Sequence, residues 1–172
     1  MSVLIQGELN MKRSIVMLIL LMATAVFAGV VLAQDDRTDD ATTPVMLDRA
    51  VIAGTSQLFF DSLNAGDIET WLTTLAEDAV SFEPVGTPPN VGHEGLLAWV
   101  GSQAGFESVT TKVNEIIVAG NSAAILWTST FVLPGGAEIV LDGVDVHEYN
   151  DAGLIQIVEG YFDPSPIFAA IE

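Results

Sequence analysis

Apolar residues between Met46 and Gly66 follow a helical period. Leu47, Ala50, Val51, Ile52, Leu58, Phe59, Phe60 and Leu63 recur at three- and four-residue spacings. Ile52, Phe59 and Leu63 fall on one face, and Asn64-Ala65-Gly66 ends the helix. Asp67 is an N-cap for a second short helix, DIETWLTTLA, with Ile68, Trp71, Leu72 and Leu75 turned inward. AVSFEP reads as a strand stopped by Pro84, which has no N–H to give a ladder. HEGLLAWVGSQA reads as a third helix, with Glu94 in its first turn complementing the helix dipole.

Past Phe106 the period shortens to that of strands. VTTKVNEIIVA, SAAILWTSTFVL, EIVLDGVDVHEY and LIQIVEGYF are separated by Gly-Asn, Pro-Gly-Gly and Asn-Asp-Ala-Gly, all turn chemistry. Four strands joined by tight turns predict an antiparallel meander, and helices grouped before strands predict an α+β architecture. Several of these strands are apolar on both faces. One face is expected under the helices and the other against a second copy of the chain.

The N-terminal third changes the picture of where the domain begins. Lys12 and Arg13 precede an apolar run from Ile15 to Val31, and Val31-Leu32-Ala33 supplies small residues before Gln34. This three-part pattern predicts a signal peptide over residues 1–33, with Met11 as a candidate true start. An uncleaved anchor is the alternative, since Ile15 to Ala33 is close to the length of about 20 apolar residues that spans a bilayer. QDDRTDDATTP has no apolar periodicity, so residues 34–45 read as an acidic flexible tether and residues 46–172 as one domain. Secretion or a periplasmic location is the expectation that follows.

Charge narrows the partners. The 172 residues carry a net charge of −18, and cleavage after Ala33 would remove two of five basic and one of 23 acidic residues. Such a surface repels nucleic-acid phosphates and anionic lipid, so neither nucleic acid nor membrane beyond the leader is an expected partner. There is no Cys, hence no disulfide framework and no thiolate chemistry. Two His without HExxH-type spacing predict no metal site, and no nucleotide fingerprint or Ser-His-Asp order is present.

The order helix, helix, short strand, helix, long meander resembles the nuclear-transport-factor-2-like superfamily. The stretch LNAGDIETWLTTLAEDAVSFEPVG, then GHEGLLAW, VDVHEYNDAG and VEGYFDP, is similar to its ketosteroid isomerase-like and SnoaL-like (polyketide cyclase-like) members. The resemblance spans Ala50 to Pro164. It implies a cone-shaped fold, with N-terminal helices packed on a curved antiparallel meander sheet. It also implies a pocket for a small apolar, steroid- or polyketide-like molecule, used without a cofactor. By the same resemblance Glu83 takes the place of the carboxylate that shuttles a proton, one methylene longer than the usual Asp. Asp145 falls where a protonated Asp donates to an oxyanion. Phe59 and Val100 stand where the family has tyrosines, so half of the oxyanion machinery is missing.

The residues themselves leave two readings for each candidate. Glu83 is either a strand-end carboxylate in water or an acid in a pocket beside Phe82, Pro84 and Val85. Asp145 is either an outward strand residue or, by parity, on one apolar-lined face with Ile139, Leu141, His147 and Tyr149. His147 is either a satisfied strand-end histidine or an added acid, base or oxyanion donor. His93 is expected in the first turn of the third helix. Phe59, Val85, Trp99, Val100, Trp127 and Phe162 are the expected ligand-binding walls, with Trp71 assigned to the core. Two functions follow, a cofactor-free isomerase or cyclase and a binding module with the same pocket and no turnover.

Overall fold

The computed structural model describes residues 45–171. The expected leader and all but the last residue of the expected tether lie outside the described residues. Helix α1 (Arg49–Ala65) starts at Asp48, whose side chain accepts from Ala50 N at 2.7 Å. It ends in a left-handed residue, Gly66, at φ 67°. Gly66 N donates to Leu63 O at 3.0 Å and Asp67 N to Ser62 O at 2.9 Å, the paired bonds of a Schellman motif. Asp67 then caps α2 (Ile68–Thr73), accepting from Thr70 N at 3.0 Å. The LNAGD stretch is therefore a stop and a start packed into five residues, and it sets the angle between α1 and α2.

Strand β1 (Leu75–Phe82) begins earlier than the sequence pattern predicts. Leu75 and Ala76, expected in the second helix, are already extended. Thr74 O accepts from Ile155 N at 2.9 Å, and Leu75 pairs with Ile155. Both side chains stay buried in the strand, so apolar spacing alone could not separate the two conformations. The two-residue strand β2 (Asn90–Val91) leads into α3 (Gly92–Ser102) and a 3₁₀ turn (Gln103–Gly105). The long strands follow as expected: β3 (Ser108–Ala119), β4 (Ser122–Val132), β5 (Glu138–Tyr149) and β6 (Ile155–Tyr161). A closing helix α4 (Ser165–Ile171), absent from the expectation, starts where Asp163 accepts from Ser165 N at 2.9 Å.

One curved, open sheet of six strands results, in the order β2-β1-β6-β5-β4-β3. The meander from β3 to β6 is antiparallel as expected, but the sheet as a whole is mixed, because β1 runs parallel to β6. The bond from Ile155 to Thr74 explains the direction: both strands leave from the same end of the sheet. The inner face packs under α1, α2 and α3 around Ile52, Phe59, Trp71, Leu96, Ile125 and Val158. Asn64 ties the end of α1 to the far strand, donating to Thr111 O at 2.7 Å and accepting from Thr111 N at 2.8 Å. Helices and strands thus meet at one edge and diverge above the strand centres, which leaves a cavity between them.

Candidate functional site

Alternation along β5 sends Leu141, Gly143, Asp145, His147 and Tyr149 to the inner face, as strand parity predicts. Glu83 leaves the end of β1 on the same side. Its register neighbour on β6 is decisive: Gly160 pairs with Asp145, and a Cβ added to Gly160 would overlap Glu83 Oε2. The absent side chain is the space the Glu83 carboxyl occupies. Gly143 does the same for Trp127, its partner on β4, because a Cβ there would run into the indole ring. Two glycines therefore let an acid and an indole lie flat over β6 and β5 on either side of Asp145.

Above them is a cavity of about 320 Å³. Phe59, Phe60 and Leu63 of α1 form one wall, with Trp99 and Val100 of α3 beside them. Trp127 and Phe162 face each other edge to face, with ring centroids 5.6 Å apart. Toward β3 the lining turns polar, where Thr111 Oγ1 and Ser129 Oγ are bonded at 2.6 Å. Among the described residues, Glu83 and Asp145 are the only ionisable side chains in the lining, and no lysine, arginine or histidine reaches it. The arrangement is an apolar slot with two acids at one place in its wall.

Loss of water dominates both acids. Asp145 is 4% exposed, and burial raises it from 3.8 to about 7, against a hydrogen bond from Trp127 Nε1 to its Oδ1 at 2.7 Å that pulls it down. Glu83 is held well above the usual carboxylate range, first by burial and then by the charge of Asp145. Two acids so placed cannot both ionise easily and titrate as a pair.

Of the sequence-predicted residues, the structure brings Glu83, Asp145, Phe59, Trp99, Val100, Trp127 and Phe162 together at the cavity. His147 and Val85 stand elsewhere. His147 is fully buried behind the cavity wall, stacked on Phe60 at 5.9 Å and edge-on to Phe59 at 5.0 Å. Burial lowers it from 6.5 to about 3, so it is a neutral imidazole at neutral pH. Direct contact with a ligand is closed to it by the two phenyl rings. Val85 is 42% exposed, because the chain turns after Pro84 and Val85 N bonds back to Gly160 O at 2.8 Å. His93 lies in the first turn of α3 as expected. Trp71 is fully buried, in the core rather than the wall.

Sequence reasoning missed Phe60, Thr111, Ser129 and the two glycines. Phe60 sits next to a residue that was selected, and helix periodicity alone spreads such pairs over a broad stripe. Gly143 and Gly160 each interrupt an otherwise side-chain-rich strand, which is the signal for a close approach. Among the described residues no three His, Asp or Glu side chains converge as metal ligands.

Residues 57–158 match the family model of the SnoaL-like domain. Among solved structures, the fold is similar to a nuclear-transport-factor-2-like protein of unknown function from Burkholderia pseudomallei, at 19% identity and a TM-score of 0.64, covering 69% of this chain and 95% of that one. It is also similar to a Mycobacterium tuberculosis protein in complex with estradiol-17β-hemisuccinate, at 24% identity and a TM-score of 0.60, covering 67% and 95%. The Δ5-3-ketosteroid isomerase from Mycobacterium sp. matches at 22% identity and a TM-score of 0.60, again over 67% and 95%.

The raised acids make stability depend on pH with a definite sign. Between 3.8 and about 7 the folded protein keeps a proton on Asp145 that the unfolded chain has released. This share of stability is complete below that window and is lost as pH rises through it. His147 acts oppositely, since its lowered value gives stability present above 6.5 and lost as pH falls toward about 3. Comparison with Asp145→Asn, which keeps His147, isolates the acid. The wild-type urea midpoint is expected to fall relative to that of the variant as pH rises from about 4 to about 7. Parallel curves over that range would contradict the assignment.

Proposed function

Because the chain belongs to the SnoaL-like domain family, within the nuclear-transport-factor-2-like superfamily, we propose that its cavity binds a small apolar, carbonyl-bearing molecule and moves a proton beside that carbonyl without a cofactor. The observation that carries the reading is the pair Glu83 and Asp145, adjacent in an apolar slot of about 320 Å³ that no cation among the described residues lines. Such a pair, sharing one proton, holds a base and a neutral donor in one place. The base takes a proton from the carbon next to the carbonyl, and the donor hydrogen-bonds the oxygen on which the enolate charge gathers. The base then returns its proton at another carbon, which shifts a double bond. Apolar walls keep water from levelling the difference between the two acids. The steroid named with one structural neighbour and the isomerase activity named for another support this chemistry.

A second reading has its own observation. Phe59 and Val100 both face the cavity and neither can donate a hydrogen bond, so an enolate oxygen would meet one carboxyl donor and no hydroxyl from those two positions. A protein with that lining can bind the same class of molecule and release it unchanged. Supplying a β,γ-unsaturated 3-ketosteroid separates the two. Appearance of the conjugated enone is expected, with Glu83→Gln and Asp145→Asn each lowering kcat by roughly 10²- to 10⁴-fold. Quenching of Trp99 and Trp127 fluorescence by the steroid without enone formation would establish the binding module instead.

We also propose that the chain is exported and that the domain pairs with itself through the outer sheet face. Export rests on Lys12, Arg13, the apolar run and the small residues ending at Ala33. The mature product is expected to begin at Gln34, and N-terminal sequencing that reads Met1 or Met11 would remove the cleavage. Pairing rests on the outward residues Leu126, Val144 and Tyr161, which stand in register across β4, β5 and β6, with Val140 56% and Ile117 50% exposed beside them. Light scattering at micromolar concentration is expected to give twice the chain mass, and a monomer mass would eliminate the pairing.

A further inference from the structure

The family resemblance makes Glu83 the base and Asp145 the neutral donor. The hydrogen bonds of this chain divide the roles differently. Adjacent strands lie about 4.8 Å apart, and Glu83 sits over Gly160, the register partner of Asp145. The charge of Asp145 acts on Glu83, so the two carboxyls titrate as a pair, and the place of the last proton depends on which oxygens are answered by donors.

Asp145 is answered by a donor. Its Oδ1 accepts from Trp127 Nε1 at 2.7 Å. An indole N–H can only donate, so this bond strengthens as the oxygen gains charge. The ring lies flat across Gly143, which holds its N–H against the carboxyl. The other oxygen, Oδ2, stands 4.0 Å from His147 Nε2. Among the described residues that nitrogen is buried with no hydrogen-bond partner, since 4.0 Å is beyond bonding reach of the carboxyl. On the far side of the imidazole, Nδ1 lies 3.4 Å from Ser56 Oγ, which is 2.6 Å from Tyr149 Oη. The Tyr149 hydroxyl donates to Ile52 O at 3.1 Å, which ties the imidazole to α1. Phe59 and Phe60 enclose this imidazole and keep it neutral, so it supplies no full charge.

Glu83 has no such help. Among the described residues no hydrogen-bond donor reaches its carboxyl, and the Phe162 ring crowds the same space over Gly160. Among the described residues no lysine or arginine faces the cavity to favour a charge on it. A carboxyl that loses water and gains no donor keeps its proton.

We propose that the shared proton resides on Glu83 and the negative charge on Asp145, so that Asp145 is the base and Glu83 the hydrogen-bond donor, with Trp127 as the positioning residue for the charge. This rests on the acid–base reading of the pair for its catalytic consequence, while the location of the proton stands without it. In the transfer, Asp145 takes the proton from the carbon beside the carbonyl. The C–H electron pair becomes the new C=C bond, the carbonyl π pair moves to oxygen, and that oxygen takes its hydrogen bond from the Glu83 O–H. Asp145 then gives its proton to the distal carbon, and both carboxyls return to their starting state. A ligand is thereby oriented with its oxygen toward β1 and its acidic carbon over β5. The burial effects run the same way: Glu83 is pushed up by burial and by a charge on Asp145, while Asp145 is partly restrained by its indole bond.

The test needs no substrate. The full chain, labelled with ¹³C at the Glu and Asp side-chain carboxyls, is titrated by NMR, with signals assigned by Glu83→Gln and Asp145→Asn. As pH rises, the first step of the pair is expected on the Asp145 carbon, with Glu83 holding its protonated shift to a higher pH. Movement of the Glu83 carbon first would overturn the proposal. Trp127→Phe removes the indole donor and is expected to raise the Asp145 midpoint by about one pH unit, the weight of one charge-assisted hydrogen bond. Gly143→Ala, which displaces the ring and keeps the tryptophan, serves if that variant does not fold. An Asp145 midpoint unmoved in the folded variant would remove the positioning role of Trp127. Absence of enone formation with this titration order intact discards the isomerase reading alone. Enone formation with the order reversed discards the proton assignment alone.

Discussion

A carboxyl taken out of water must be protonated or answered by donors, and the inner face of β5 is arranged around that demand. Asp145 is 4% exposed. Around it stand an indole from β4 that donates to it, an imidazole two residues along its own strand at 4.0 Å, and a second carboxyl from beyond β1. Each of these is itself held by something further out. Trp127 needs the empty space at Gly143, Glu83 needs that at Gly160, and His147 needs Ser56 on α1. The helix is therefore joined to the sheet by a buried polar thread as well as by apolar packing, from Ile52 O through Tyr149 and Ser56 to His147. Such threads fix one arrangement, because a slipped helix would leave buried polar atoms unpaired.

The same construction separates two kinds of surface within one domain. Toward the core, two phenyl rings from α1 close over the imidazole and keep it neutral. Toward the cavity, rings from β4, α3 and the segment after β6 stand apart and leave room for a flat molecule. Phe59 serves both, packing on His147 behind and lining the cavity in front. A residue in that position cannot be exchanged for its effect on a ligand without also disturbing the packing around the acid.

Much of this was legible in the sequence because it is local. The Schellman stop and the cap at Gly66 and Asp67 follow from residue types at fixed offsets. The four long strands follow from alternation, and parity placed Asp145, His147 and Tyr149 on one face. Where local signals were balanced, the reading slipped. Leu75 and Ala76 suit a helix or a strand, and the bond from Ile155 to Thr74, 81 residues away in the chain, decides for the strand. Val85 shares the apolar character of its neighbours, yet a backbone bond to Gly160 turns it outward.

The sequence by itself determined the elements, their order and the faces they bury, because hydrophobic period and capping chemistry act within a few residues of themselves. It also named the two acids, through their likeness to a family pattern. Only the tertiary structure decided what those acids meet. Whether Asp145 finds an indole, whether His147 reaches a ligand or lies behind two phenyl rings, and whether Glu83 has a donor all depend on strands 15 to 77 residues apart in the chain coming into register. A proton's place in a coupled pair depends on distance and dielectric in three dimensions, and neither quantity is written along the chain.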